Sequence, residues 1–256
     1  MEYPNIYRLT GLHNTPMKKF HHQILHLIQN CQNCSVKNIK DINDIPNMGL
    51  CSKCSVKVIA YNRYYDSNIP IEYWNLSMEN IITNAHKSQA FSELSKIYLN
   101  IINDLNKSYI DGIAICLTGN HGCGKTTSAT NVLKKACQKN FTTLYTTLTD
   151  IVSVLTLSPS EDKFFSRKEL IEVDFLVIDE LDVRFFGASD NAADLFGRSF
   201  ENVVRTRLQN KLPMIIISNS PNPNNIFIGS LKESLNSLLS KFNIIPILGE
   251  DYRKLK

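Results

Sequence analysis

The eight residues 119–126 limit the possible folds of this chain more than any other segment. They read Gly-Asn-His-Gly-Cys-Gly-Lys-Thr and match the pattern G-x-x-x-x-G-K-[ST], whose backbone N–H groups surround nucleotide phosphates. The apolar run 112–118 predicts a strand before the loop, and 125–136 predicts a helix whose N-terminus faces the anion. This context disfavours the alternative, a chance glycine-rich turn.

Each residue type in this loop suits phosphate binding. Glycine has no Cβ, so the backbone can curl closely around a phosphate. Lys125 can reach the β- and γ-phosphate oxygens, which also gives it a catalytic role, and the Thr126 hydroxyl can bind Mg²⁺. We predict that the nucleotide is bound by Gly119, Asn120, His121, Gly122, Cys123, Gly124, Lys125, Thr126 and Thr127.

Polar residues that end two later strands complete the predicted site. Asp179 and Glu180 follow the apolar run 175–178. A carboxylate at the end of a buried strand beside the phosphate loop is placed to hold Mg²⁺ together with Thr126, so we predict that Asp179 holds this ion through water. Glu180 is predicted to activate the attacking water, and Asn219 to contact the γ-phosphate. The acidic pair favours an ATPase over a small-molecule kinase, and no Asn-Lys-x-Asp motif for guanine is present.

The second half of the chain alternates between strand-like and helical segments, which is typical of a parallel sheet covered on both faces. The predicted strands are 112–118, 141–148, 174–179, 214–219 and 243–248. Pro246 restricts the last of them to an edge or a bulge, because proline cannot donate a ladder hydrogen bond.

Four of the seven cysteines form two C-x2-C pairs that are sixteen residues apart, namely Cys31, Cys34, Cys51 and Cys54. Paired knuckles at this spacing predict a structural zinc site with four thiolate ligands. A redox-active C-x2-C pair is disfavoured, because there are two such pairs and no βαβ unit around them. One upstream histidine is an alternative ligand, but solvated or packed helix residues are the simpler interpretation of His21, His22 and His26.

Composition and pattern predict a globular protein in the cytoplasm, built from unequal parts. Hydrophobic residues make up 43% of the chain and charged residues 20%, and no apolar run approaches the ~20 residues of a membrane span. The net charge of +4 is compatible with nucleic-acid contact without proving it. The sequence predicts three parts. A zinc-binding module covers 1–60 and includes a helix at 17–32. A linker and lead-in helix cover 61–106, with a connecting segment at 61–78 and mostly helix from 79, and an ATPase domain covers 107–256.

The phosphate loop, the Asp-Glu strand end and the strand-terminal Asn, in this order, resemble an AAA+ ATPase. Three further segments resemble the DnaC/DnaI helicase loaders and the related IstB transposition ATPases: 68–74 (NIPIEYW), 207–220 (RLQNKLPMIIISNS) and 249–253 (GEDYR). The resemblance covers roughly 61–256 and implies a P-loop AAA+ core with a five-stranded parallel sheet and a reduced lid. The cysteine-rich module in front of it is similar to DnaI-type loaders rather than to IstB.

The resemblance also implies a function and partners. It implies ATP-dependent loading of a replicative helicase onto single-stranded DNA during DNA replication, and self-association through the ATPase domain. The alternatives are an IstB-like ATPase that assists a transposase, and a nucleotide-gated adaptor that hardly hydrolyses ATP.

The arginine that the resemblance implies, on the helix before the last strand, is absent from 236–242. Lys241, Arg205 or Arg207 is left to reach the γ-phosphate of a neighbouring subunit, and Arg207 is our candidate. Other basic residues either contact DNA or form a solvated face, namely Lys134, Lys135, Lys139, Arg184 and Arg198.

Overall fold

The computed structural model describes residues 17–31, 33–34, 50–78, 89–156, 166–182, 190–220, 227 and 231–249. Several predicted features lie outside these ranges: the beginning of the zinc module, the helix start at 79–88, Arg184 and the end of the segment 249–253. None of the described helices is long and apolar enough to cross a membrane.

Helices and strands alternate through most of the described chain. The helices are α1 (Met17–Gln29), α2 (Ser52–Asp66), α3 (Gln89–Asn103), α4 (Leu105–Ile110), α5 (Lys125–Gln138), α6 (Leu148–Thr156), α7 (Arg167–Glu172), α8 (Asp190–Gln209) and α9 (Lys232–Leu239), with a short 3₁₀-helix at Ile71–Tyr73. The strands are β1 (Ala114–Thr118), β2 (Thr143–Thr147), β3 (Phe175–Leu181), β4 (Met214–Ser218) and β5 (Asn243–Pro246).

The five strands form one sheet in the order β2-β3-β4-β1-β5, and every neighbouring pair is parallel. The predicted parallel sheet is therefore confirmed, and β5, which contains Pro246, lies at an edge. Because the strands are parallel, their carboxyl ends meet at one edge of the sheet. The phosphate loop after β1 and the acids at the end of β3 are thus brought together.

Helices cover both faces of the sheet, which is why the central strands are continuous apolar runs. Along β1, Ile115 and Leu117 pack into the core beneath α1 to α5, whereas Cys116 packs into the core beneath α6 to α9. Neighbouring side chains of a strand point to opposite faces, so each strand contributes to both cores.

The N-terminal helices belong to the first of these cores. Phe20 on α1 stacks on Tyr65 of α2, with ring centroids 4.4 Å apart, and also contacts Trp74. The prediction of a connecting segment from residue 61 was wrong for its first six residues, because α2 continues to Asp66. The helix ends where Asn68 adopts a φ of 55° and Ile69 N–H donates to the Tyr64 carbonyl, a common left-handed helix termination.

Candidate nucleotide-binding site and cysteine cluster

A cleft of about 790 Å³ opens at the carboxyl edge of the sheet. The phosphate loop forms its floor, the ends of β3 and β4 form one wall, and a segment after α2 forms part of the rim. The lining residues are Pro70, Glu72, Tyr73, Leu76, His121, Gly122, Cys123, Gly124, Lys125, Thr126, Thr127, Tyr145, Thr147, Asp179, Glu180 and Asn219.

The backbone of the phosphate loop has the conformation that its glycines were predicted to allow. Gly119, Gly122 and Gly124 have φ values of 135°, 75° and 91°, a region that residues with a Cβ rarely adopt. A Cβ on Gly119 would also lie 2.2 Å from the carbonyl oxygen of Ile247. Gly124 precedes α5, so the positive end of the α5 dipole faces the cleft. The loop therefore fits an anionic phosphate group.

Lys125 places its ammonium group inside the loop. The side chain is buried, with 4% of the residue exposed. Its Nζ donates hydrogen bonds to the carbonyl oxygens of Gly119, at 2.8 Å, and Asn120, at 2.6 Å. These carbonyls hold the Lys125 ammonium inside the phosphate loop. The phosphate oxygens of a bound nucleotide would accept stronger hydrogen bonds from it, because they are charged.

Thr126 and Asp179 meet at the inner corner of the cleft. The Thr126 hydroxyl donates to Asp179 Oδ2 at 2.8 Å, and the Glu180 N–H donates to Asp179 Oδ1 at 2.7 Å. Burial raises the pKa of Asp179, whereas these hydrogen bonds lower it. A hydroxyl and a carboxylate oxygen are hard ligands of the kind that Mg²⁺ prefers. The two side chains therefore fit a magnesium ion, and we refer to them as the magnesium corner.

Glu180 points into the cleft because the backbone of β3 is irregular there. The register between β3 and β4 shifts between Ile178 and Leu181, and Glu180 has a φ of 59°. As a result, Glu180 is exposed at the cleft while Asp179 and Leu181 on either side are buried. Strained backbone of this kind costs about 1–3 kcal/mol and is concentrated at functional sites.

Two tyrosines in the cleft were not predicted from the sequence. The Tyr145 hydroxyl donates to Asp179 Oδ2 at 2.9 Å. Tyr73 lines the cleft together with Thr126 and Glu72. Burial is the main reason that the pKa values of both tyrosines lie above their usual range, so both hydroxyls stay protonated. The sequence signal that could have found Tyr145 is its place on β2, because β2 pairs with β3, the strand that carries Asp179.

The family of the chain follows from its sequence together with this site. The model of the family described as IstB-like ATP binding protein matches residues 83–256, which is more than half of the chain. The chain belongs to this family. No curated protein matches it.

Solved structures share the fold of this IstB-like chain at low sequence identity. DnaI is 16% identical over 72% of this chain and 93% of its own, with a TM-score of 0.53. The DnaC helicase loader is 20% identical over 68% and 99%, with a TM-score of 0.50. The replication initiator DnaA, bound to AMPPCP and single-stranded DNA, is 18% identical over 71% and 51%, with a TM-score of 0.54.

The IstB-like chain thus spans about half the length of that DnaA structure. At these identities the likenesses show a common AAA+ fold. Fold and family together make the chain a P-loop ATPase, as the sequence predicted.

Residues 67–78, which we call the lead-in segment, cover the outer edge of β2 in the IstB-like chain. The Tyr145 N–H donates to the Ser67 carbonyl at 2.8 Å, and the Asn68 side-chain amide donates to the Tyr145 carbonyl at 3.0 Å. Both backbone groups of Tyr145 are therefore bonded to the lead-in segment.

Hydrogen bonds from two side chains, Lys134 on α5 and Arg63 on α2, join α5 to the lead-in segment and to α2. Lys134 Nζ donates to the Tyr73 carbonyl at 2.7 Å and to the Leu76 carbonyl. Arg63 donates to the Cys137 carbonyl at 2.6 Å. Lys134, which the sequence placed among exposed basic residues, is instead buried, so it belongs neither to a DNA-binding face nor to a solvated one.

The four predicted zinc ligands are brought together at the start of α2. Their Sγ atoms all lie within 4.8 Å of one another, and those of Cys31 and Cys51 are 3.6 Å apart. Four thiolates about 2.3 Å from a tetrahedral zinc would be separated by about 3.8 Å, so the donors fit the metal. Across the described residues, no histidine joins this cluster; the rings of His22 and His26 stack on each other instead.

The structure corrects the prediction for Arg207. Its side chain is completely buried and donates to four backbone carbonyls, those of Leu170, Ile171, Asp174 and Pro213. Asp174 and Pro213 directly precede β3 and β4, so Arg207 lies at the sheet edge opposite the phosphate loop. It cannot reach a γ-phosphate in a neighbouring subunit. Of the other candidates, Arg205 and Lys241 are exposed.

Replacing Arg207 with methionine should lower the free energy of unfolding by about 3 kcal/mol or more, because the carbonyls would lose buried donors. The same change at Arg205, which forms an exposed ion pair with Glu201, should cost less than about 1 kcal/mol. Urea unfolding of both variants measures the difference. Equal losses would contradict a structural role for Arg207.

Proposed function

We propose that the chain is an ATP-dependent loader that places a replicative DNA helicase on single-stranded DNA. The observation that carries the proposal is the connection between the cysteine module and the nucleotide cleft. Helix α2 begins at the cysteine cluster and continues into the lead-in segment, which lines the cleft. A module that grips a helicase would thereby respond to the nucleotide. The fold shared with DnaI and DnaC over almost their whole lengths supports the same function.

In this proposal each residue of the cleft has one role. Lys125 and the loop bind the phosphates, while Thr126 and Asp179 hold Mg²⁺, which would neutralise charge on the phosphate oxygens. Glu180 accepts a proton from the attacking water, and Asn219, which lies half-buried at the end of β4, contacts the γ-phosphate. The cysteine cluster holds Zn²⁺ as a structural ion.

Self-association of the ATPase domain belongs to the same proposal. In this proposal a neighbouring subunit supplies a cation that stabilises charge on the γ-phosphate. Arg205 and Lys241 are exposed and are the candidates that the structure leaves. Arginine is the better of the two, because its planar guanidinium can bond two phosphate oxygens at once.

The proposal is tested by affinity capture with the Glu180→Gln variant, held in its ATP-bound form, from extracts of the source cells. We expect a hexameric helicase, identified by mass spectrometry, to be recovered with ATP and lost when Lys125→Ala is the bait. A helicase that is recovered equally well with both baits would contradict nucleotide-dependent loading.

The family model favours a second candidate function, an IstB-like ATPase that assists a transposase. This function predicts capture of a recombinase and preference for duplex DNA. The same capture experiment, combined with binding to single-stranded and duplex oligonucleotides, separates the two functions.

A further inference from the structure

We propose that Tyr145 is a positioning residue of the magnesium corner and strengthens its affinity for Mg²⁺. The inference rests on the roles proposed above for Thr126 and Asp179. The Tyr145 hydroxyl donates to Asp179, and Tyr145 belongs neither to the phosphate loop nor to the acidic strand end.

Tyr145 restricts the orientation of the Asp179 carboxylate. Its hydroxyl and that of Thr126 both donate to Oδ2, at 2.9 Å and 2.8 Å, while the Glu180 N–H donates to Oδ1. Three donors thus hold a carboxylate that is 5% exposed in one orientation. An ion that uses this carboxylate would meet it already oriented, so less conformational entropy is lost on binding.

The position of Tyr145 depends on the lead-in segment. Its backbone N–H donates to the Ser67 carbonyl, and its carbonyl accepts a hydrogen bond from the Asn68 side-chain amide. A residue from outside the nucleotide-binding motifs thus orients the carboxylate that would hold Mg²⁺. Removing a residue that hydrogen-bonds a metal ligand typically lowers metal affinity about 10–100-fold.

The test uses the purified full-length chain and a fluorescent ATP analogue, titrated with Mg²⁺ after dialysis into magnesium-free buffer without a chelator, so that the proposed zinc is kept. Tyr145→Phe keeps the ring and removes only the hydroxyl. We expect it to raise the Mg²⁺ concentration for half-maximal nucleotide binding about 10-fold. Asn68→Gly, which removes the side-chain donor to the Tyr145 carbonyl and tolerates the φ of 55°, should shift it in the same direction. Affinity for the analogue without Mg²⁺ should remain within about twofold of the parent value, because the phosphate loop is unchanged.

Tyr61→Phe is the matched control, because Tyr61 is as buried as Tyr145 but its hydroxyl donates to Asn75 instead. An unshifted Mg²⁺ midpoint in Tyr145→Phe would overturn the proposal. So would an equal loss of affinity with and without Mg²⁺, since that indicates a distorted cleft. If Tyr145→Phe does not fold, the Asn68→Gly titration decides. Failure to capture a helicase would reject the loader function and leave this result unaffected.

Discussion

ATP turnover should fall at least about 100-fold when Glu180 is replaced by glutamine, while affinity for ATP stays within a few-fold of the parent value. Glutamine keeps the size of the side chain but cannot accept a proton from water. Glu180 is exposed at the cleft, and the nucleotide-binding contacts come from other residues, so binding should survive. Phosphate release, measured with and without single-stranded DNA, gives turnover, and a fluorescent ATP analogue gives affinity.

Glu172→Gln is the control for this prediction, because Glu172 is exposed on α7 and does not line the cleft. Turnover of the control should equal that of the parent. If Glu180→Gln hydrolyses ATP as fast as the parent, another group activates the water. If the parent itself hardly hydrolyses ATP even with DNA, the nucleotide-gated adaptor is the better description.

Removing the proposed zinc should unfold the part of the N-terminal module around the cysteine cluster. Structural zinc contributes on the order of 10 kcal/mol to small zinc-finger peptides, whose cores are too small to fold alone. Here α1 also packs on the main core through Phe20, Ile24 and Ile28, so part of the structure is held without metal. We expect a chelator to lower the melting temperature by about 10 °C or more and to permit proteolysis within 17–66.

The zinc prediction is checked by metal analysis and by melting curves. Cys34→Ser should lose the metal, whereas Cys116→Ala, which changes a buried cysteine of β1 outside the cluster, should keep it. A parent protein that carries no zinc and melts identically with and without chelator would contradict the prediction.

Local patterns were sufficient to predict the sheet and most of the cleft. Strand and helix around 119–126 were predictable because the glycine spacing and the flanking apolar run are contiguous in sequence. The acidic pair 179–180 was predictable because parallel strands bring their carboxyl ends together. The exposure of Glu180 at the cleft depends on a register shift between β3 and β4, which no local pattern indicates.

The prediction that Arg207 reaches a neighbouring γ-phosphate was wrong because helical spacing places Arg207 on the buried face of α8. Phe200, Val203 and Val204 are buried on α8, and Arg207 occupies the next position of the same stripe. Residues at i, i+3, i+4 and i+7 share one helix face, so this spacing already placed Arg207 inside. Arg205 falls off the stripe and is exposed.

The place of Tyr73 in the cleft could not be predicted from local patterns. Tyr73 lines the cleft with Thr126, from which more than fifty residues separate it, and its position depends on how the lead-in segment runs along α5. The aromatic residues of that segment indicated packing, and nothing in their spacing indicated which of them reaches the cleft.

The cover that Ser67 and Asn68 provide for β2 has a practical consequence for work on shortened versions of the protein. β2 is an outermost strand, and a fragment that starts at residue 107 would display its unsatisfied peptide groups to other molecules. Such strands recruit one another into insoluble aggregates. Assemblies seen with an isolated ATPase fragment would therefore say little about how intact subunits join.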